Sequence, residues 1–88
     1  MADRAKSGKE LLALVLRILP PGRYYIAEEI YDLLDRKGYL LPADLEIHSG
    51  GTETKAYRRL LNGLRDGAKT QQIQKNQDCR PNQYRVSP

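Results

Sequence analysis

The stretch from Ser7 to Gly22 constrains the fold of this chain more than any other. Ser7-Gly8-Lys9-Glu10 sets a hydroxyl three residues before a carboxylate, the reciprocal pattern that caps a helix N-terminus. Leu11, Leu12, Leu14, Val15, Leu16, Ile18 and Leu19 follow, apolar around most of a helical circumference. Pro20-Pro21-Gly22 then stops the helix, because neither proline can donate to its hydrogen-bond ladder. Such a helix is expected to be the most buried element, and the remaining segments must supply the faces that cover it. With 88 residues there is room for one core and no second domain.

The segments after it follow the same logic. Arg23-Tyr24-Tyr25-Ile26 is short and aromatic, enough for one brief strand. A second helix is expected over 27–37, with Ala27, Ile30, Leu33 and Leu34 as its apolar stripe and Gly38 as its left-handed terminator. Glu28, Glu29, Asp32 and Asp35 face outward on it, and Arg36 and Lys37 sit at the end that favours cations. In the connection, Pro42 can open one helical turn through Glu46, and 47–51 reads as loop. A third helix begins after Thr52 or Thr54, either of which can cap it, and runs to about Arg65. Asp66-Gly67 can end it, or Ala68 can extend it by a turn. Candidate strands over 71–76 and 82–86 form a hairpin, with Ile73, Tyr84 and Val86 toward the helices and Lys75 and Arg85 toward solvent. With no Phe or Trp, six tyrosines are left to supply the aromatic bulk of the core.

Charge divides the chain unevenly. Residues 1–51 hold seven Lys and Arg against eight Asp and Glu, whereas residues 52–88 hold eight against three. All of the net charge of +4 therefore lies in the last 37 residues. On the third helix, Ala56, Tyr57, Leu60, Leu61 and Leu64 fall within an arc of about 140°. Lys55, Arg58, Arg59, Asn62 and Lys69 lie opposite, with Arg65 at the margin and Asn62 near the centre. A basic half beside a near-neutral half points to a polyanion.

Other chemistries find little support. The longest apolar run, Leu11 to Leu16, is far short of the ~20 residues a membrane span needs. The polar start and Arg17 do not make a secretory signal. One cysteine, Cys79, forms no intramolecular disulfide, and with the single His48 it cannot complete a zinc site. No nucleophile is paired with a base and no phosphate loop is visible. The expectation is a cytoplasmic, non-enzymatic domain over 7–88 behind a frayed leader over 1–6, with no cofactor and no membrane partner.

The order helix, short strand, helix, connection, helix, hairpin resembles the winged helix-turn-helix domain, an α+β fold. More narrowly, the chain is similar to the N-terminal domains of Mrr-type restriction endonucleases. The residues that carry the likeness are the Leu-rich first helix, Tyr25-Ile26-Ala27-Glu28-Glu29-Ile30, the Leu40–Leu45 connection and Ser49-Gly50-Gly51. Ile73 comes six residues after Gly67, later than the pattern sets its first strand residue. There is no catalytic domain of that type here, so none of that chemistry carries over. The resemblance implies double-stranded DNA as partner, with the third helix in the major groove. Arg58, Arg59, Asn62 and Arg65 would then meet base edges, and Thr52, Thr54 and the helix N-terminal amides, with Lys55 beside them, would hold phosphate. Lys75, Asn76 and Arg80 on the hairpin would reach a neighbouring backbone or the minor groove. About five neutralised phosphates imply a log K against log salt slope near −4 to −5. A larger effector or nuclease domain is a further possible partner.

Two alternatives remain open at this level. One is a protein-interaction domain using the acidic second helix or the Leu40–Leu45 connection. The other is binding to single strands, which calls for exposed aromatic platforms; Tyr57 and Tyr84 are expected to be buried instead.

Overall fold

In the computed structural model, residues 5–47, 51–78 and 80–87 are described; His48, Ser49, Gly50 and Cys79 lie outside them. The chain forms three helices and a three-stranded antiparallel sheet, an α+β arrangement.

Helix α1 spans Gly8–Ile18. Its cap forms as the sequence implies: Ser7 Oγ accepts from Glu10 N at 3.2 Å, and Glu10 Oε1 accepts from Ser7 N at 3.3 Å. Strand β1, Tyr25–Ile26, leads directly into α2, Ala27–Arg36. Isoleucine offers no cap acceptor, and Glu29 Oε1 instead takes the Ile26 amide at 3.0 Å. Gly38, at φ +77°, turns the chain so that its own amide and that of Tyr39 close onto the Asp35 and Leu34 carbonyls.

Helix α3 spans Lys55–Lys69, one turn beyond Arg65. Gly67 is a buried interior position and not a terminator. A Cβ there would stand 2.7 Å from Ile73 Cγ1 and 2.9 Å from Leu12 Cδ1. The helix ends at Thr70, whose Oγ1 donates to the Asp66 and Gly67 carbonyls, and Gln71 takes the left-handed φ of 66° that a glycine usually occupies. The extra turn and this reversal account for the long interval between Gly67 and Ile73.

Strands β2, Ile73–Asn76, and β3, Gln83–Val86, form the hairpin, and β3 is central in the order β1-β3-β2. Pairing of Ile73 with Val86 and of Lys75 with Tyr84 fixes the register. Alternation then corrects the expectation for Lys75. It shares a side with Ile73 and Tyr84, toward the helices, and is half-buried instead of solvent-facing. The opposite side carries Gln74 and Arg85, which bond to each other, and the Arg85 guanidinium lies 4.7 Å from the centre of the Tyr24 ring.

The core lies where α1 crosses α3 and where α2 and the sheet close over them. Leu11, Val15, Ile30, Leu34, Leu60 and Leu64 are completely buried. Of the six tyrosines only Tyr25 and Tyr84 join this buried set. Tyr31 and Tyr57 meet edge to face at 5.6 Å and are half-buried. At the α1–α3 crossing, Gly8 and Gly63 bring two backbones into direct contact: a Cβ on Gly8 would stand 2.9 Å from the Arg59 carbonyl oxygen.

Candidate nucleic-acid interface

Burial of Ala56, Leu60, Gly63, Leu64 and Gly67 fixes the rotation of α3. The opposite side must then be open, and Arg58, Asn62, Arg65 and Lys69 are all exposed. Their spacing of four, three and four places them in one row along the helix. Among the described residues no carboxylate lies within ion-pair distance of Arg58, Arg65 or Lys69. Asp66, also exposed, is the one acid on this side of the helix and offsets part of its charge.

The margins of the row have other tasks. Arg59 Nη1 donates to the Lys6 carbonyl at 3.2 Å, and the residue is half-buried. Lys55 Nζ pairs with Glu46 Oε1 at 3.1 Å. Thr54 Oγ1 accepts from Tyr57 N at 3.2 Å and lies 3.0 Å from the Tyr31 hydroxyl. Thr52 is exposed and lies ahead of the cap.

A phosphate pocket at the start of α3 is not formed. Lys55 N donates to the Glu46 carbonyl at 2.8 Å, Ala56 N to the Asp44 carbonyl at 2.9 Å, and Tyr57 N to Thr54. The amides that would hold an anion are taken by the preceding connection and by the cap.

The hairpin flanks the other margin. Pro81 and Asn82 approach Tyr57, Leu61, Tyr84 and Glu28 around a cavity of about 180 Å³, and the exposed Arg80 precedes them in the hairpin turn. Burial, and then the Glu28 and Glu53 carboxylates, push the Tyr57 hydroxyl above its ordinary pKa, so it stays protonated at neutral pH. Asn76 Oδ1 accepts from Asp78 N at 3.0 Å and shapes the turn. The exposed acids Glu28, Glu29, Asp32 and Asp35 belong to α2.

One residue that positions α3 is only partly signalled by its neighbours in sequence. Asp44 is fully buried. Its carboxylate accepts from Lys6 N at 2.6 Å, Leu41 N at 2.8 Å and Lys6 Nζ at 3.0 Å, while its carbonyl caps α3. The bond to Leu41 is a local signal, an acid reaching back three residues across a turn opened by Pro42. Lys6 is 38 residues away and gives no such signal. Burial alone would raise the pKa of Asp44, but the two amides and the Lys6 ammonium outweigh it and hold the carboxyl below its ordinary value.

This depression has a sign for stability. The stabilisation is complete above the unfolded-state pKa and is lost as pH falls through the lower folded-state pKa. Asp44→Asn is expected to lose about 1–2 kcal/mol at pH 7, and the difference from wild type should begin to narrow as pH falls below about 4. Urea unfolding at pH 7 and pH 3 checks this; an equal deficit at both would exclude the charged clasp as its cause.

Among the described residues no group of three or more His, Cys, Asp and Glu side chains is placed to hold a metal, and no helix is long and apolar enough to cross a membrane. Comparison with family models, curated proteins and solved structures finds no match to the chain.

Proposed function

We propose that this chain is a double-stranded DNA-binding module of the winged helix-turn-helix type, with α3 in the major groove and the hairpin on the adjacent backbone. The observation that carries the reading is the exposed row Arg58, Asn62, Arg65 and Lys69, whose cations have no acidic partner among the described residues. Arginine can bond guanine O6 and N7 with two donors, and asparagine can pair with adenine N6 and N7. The row therefore offers base recognition as well as charge. The element order supports the reading, although Glu28 of α2, beside Tyr57 and Leu61, sets one acid near the hairpin edge of α3. Thr54, Lys55 and Arg59 serve in this reading as supports of α3, and Thr52 as a peripheral contact. Arg80 reaches the backbone, with Lys75 and Asn76 shaping the hairpin behind it. No catalytic step is assigned.

The test is a titration of a mixed-sequence duplex across salt concentrations. Contacts from Arg58, Arg65, Lys69 and Arg80 would neutralise at most about four phosphates, fewer where an arginine reads a base, giving a log K against log salt slope of up to about −3.5. Amide shifts should fall on 58–69 and on the hairpin turn. No binding at low salt, or tighter binding to single strands than to duplex, would overturn the assignment.

A further inference from the structure

We infer that the cavity between α3, the start of α2 and the hairpin turn is a subsite for one cytosine ring, unpaired or turned out of the duplex. The inference rests on the duplex-binding reading and adds a ligand at the hairpin edge of α3. Tyr57, Leu61, Tyr84, Pro81, Asn82 and Glu28 line a space of about 180 Å³. A cavity of about 150 Å³ holds a benzene-sized ring, so this one suits a single-ring base better than a purine.

The walls fit a flat ring. Tyr57 and Tyr84 are aromatic, Leu61 and Pro81 are apolar, and Tyr31 holds the Tyr57 ring edge to face at 5.6 Å. Polar capacity is left over as well. No hydrogen bond among the described residues engages the Tyr57 hydroxyl, the Asn82 side-chain amide or the Glu28 carboxylate. The Glu28 carboxylate is near enough to the Tyr57 hydroxyl to act on its titration, which brings two of the three groups together.

These groups choose the base. The N4 amino group of cytosine can donate to the Glu28 carboxylate, while the Tyr57 hydroxyl and the Asn82 amide can donate to O2 and N3. Thymine would instead turn its O4 acceptor toward the carboxylate. A lysine or arginine side chain would also suit a carboxylate beside tyrosines. Exposed Arg58 follows Tyr57, however, and exposed Arg80 precedes Pro81; these cations favour a ring attached to phosphate over another cation. A matched duplex must unstack the base first, a cost that an already unpaired base does not meet.

Fluorescence anisotropy with three otherwise identical duplexes tests it: one fully matched, one with a single bulged cytosine and one with a single bulged thymine. The cytosine bulge should bind about tenfold more tightly than the thymine bulge, which controls for the bendability that any bulge adds. Its additional amide shifts should fall on 26–28, 57–61 and 81–84. Glu28→Ala should bring the cytosine-to-thymine ratio near one, and Asn82→Ala should lower it about threefold. The ratio is the readout because losing an acid raises affinity for every duplex alike. A ratio near one in the wild type, with the matched duplex still bound, overturns the subsite and leaves duplex binding standing. Absence of binding to all three duplexes overturns both. A cytosine preference that survives Glu28→Ala also overturns the assignment.

Discussion

Reversing Arg58 and Arg65 together, to Glu, should lower duplex affinity about 100-fold or more at low salt while leaving the fold intact. Both side chains are exposed and neither has an acidic partner among the described residues, so the substitution breaks no ion pair. Each arginine that pairs with a base or phosphate contributes about 1–3 kcal/mol, and the reversal adds repulsion to that loss. The salt slope should also become shallower, by about one for each of the two arginines that contacts phosphate. Arg17→Glu with Arg36→Glu is the matched control. Both residues are exposed, on α1 and α2, and the change in net charge is the same. If the row on α3 carries recognition, that control should stay within a few-fold of wild type. Equal losses in the two variants would mean that net charge alone attracts the duplex, and would remove α3 from its role. Arg59 is the wrong probe for this question, because its bond to the Lys6 carbonyl mixes stability into the readout.

The parts of this molecule that could be read from sequence are those whose cause is local. The limits of α1 follow from Ser7, Glu10 and Pro20, and the end of α2 from Gly38, because each signal acts within a few residues of its effect. The row Arg58, Asn62, Arg65 and Lys69 needs only helical periodicity and a buried stripe to orient it. The end of α3 was ambiguous for a physical reason: a glycine either terminates a helix or admits a close neighbour, and the neighbours of Gly67, Leu12 and Ile73, are not both near it in sequence. Gln71 then takes the terminating conformation without glycine.

The same contrast divides the candidate interface. Lys55 and Arg59 share the open side of α3 by spacing, yet Glu46 and Lys6 engage them through contacts that close only in the folded chain. The amides at the start of α3 look free in any isolated helix and are satisfied here by carbonyls of Asp44 and Glu46. Lys75 is a different kind of case. Its side of the strand was legible, since residues two apart point the same way, and Ile73 already faces inward. Its ionic character suggested solvent; strand alternation decided otherwise.

Gly63→Ala should be strongly destabilising, costing about 1–3 kcal/mol despite alanine's better helix propensity. The added Cβ would press into the Gly8 carbonyl oxygen and stand 3.2 Å from its carbon. Those obstacles are backbone, and backbone cannot turn aside as a side chain does. The start of α1 would have to move off α3, lengthening the Arg59–Lys6 bond and pulling Lys6 from Asp44, so one methyl disturbs the clasp as well as the crossing. Against a total stability of about 5–15 kcal/mol for a domain of this kind, that loss is a large fraction. Gly67→Ala is the informative comparison, because the atoms its Cβ would meet are the side-chain atoms Ile73 Cγ1 and Leu12 Cδ1. Partial repacking is open to them, and the cost should be smaller. Urea unfolding of both variants measures the order. If Gly63→Ala instead gains the ~1 kcal/mol that helix propensity alone offers, the two backbones are not in the contact described, and the support it gives to α3 must come from elsewhere.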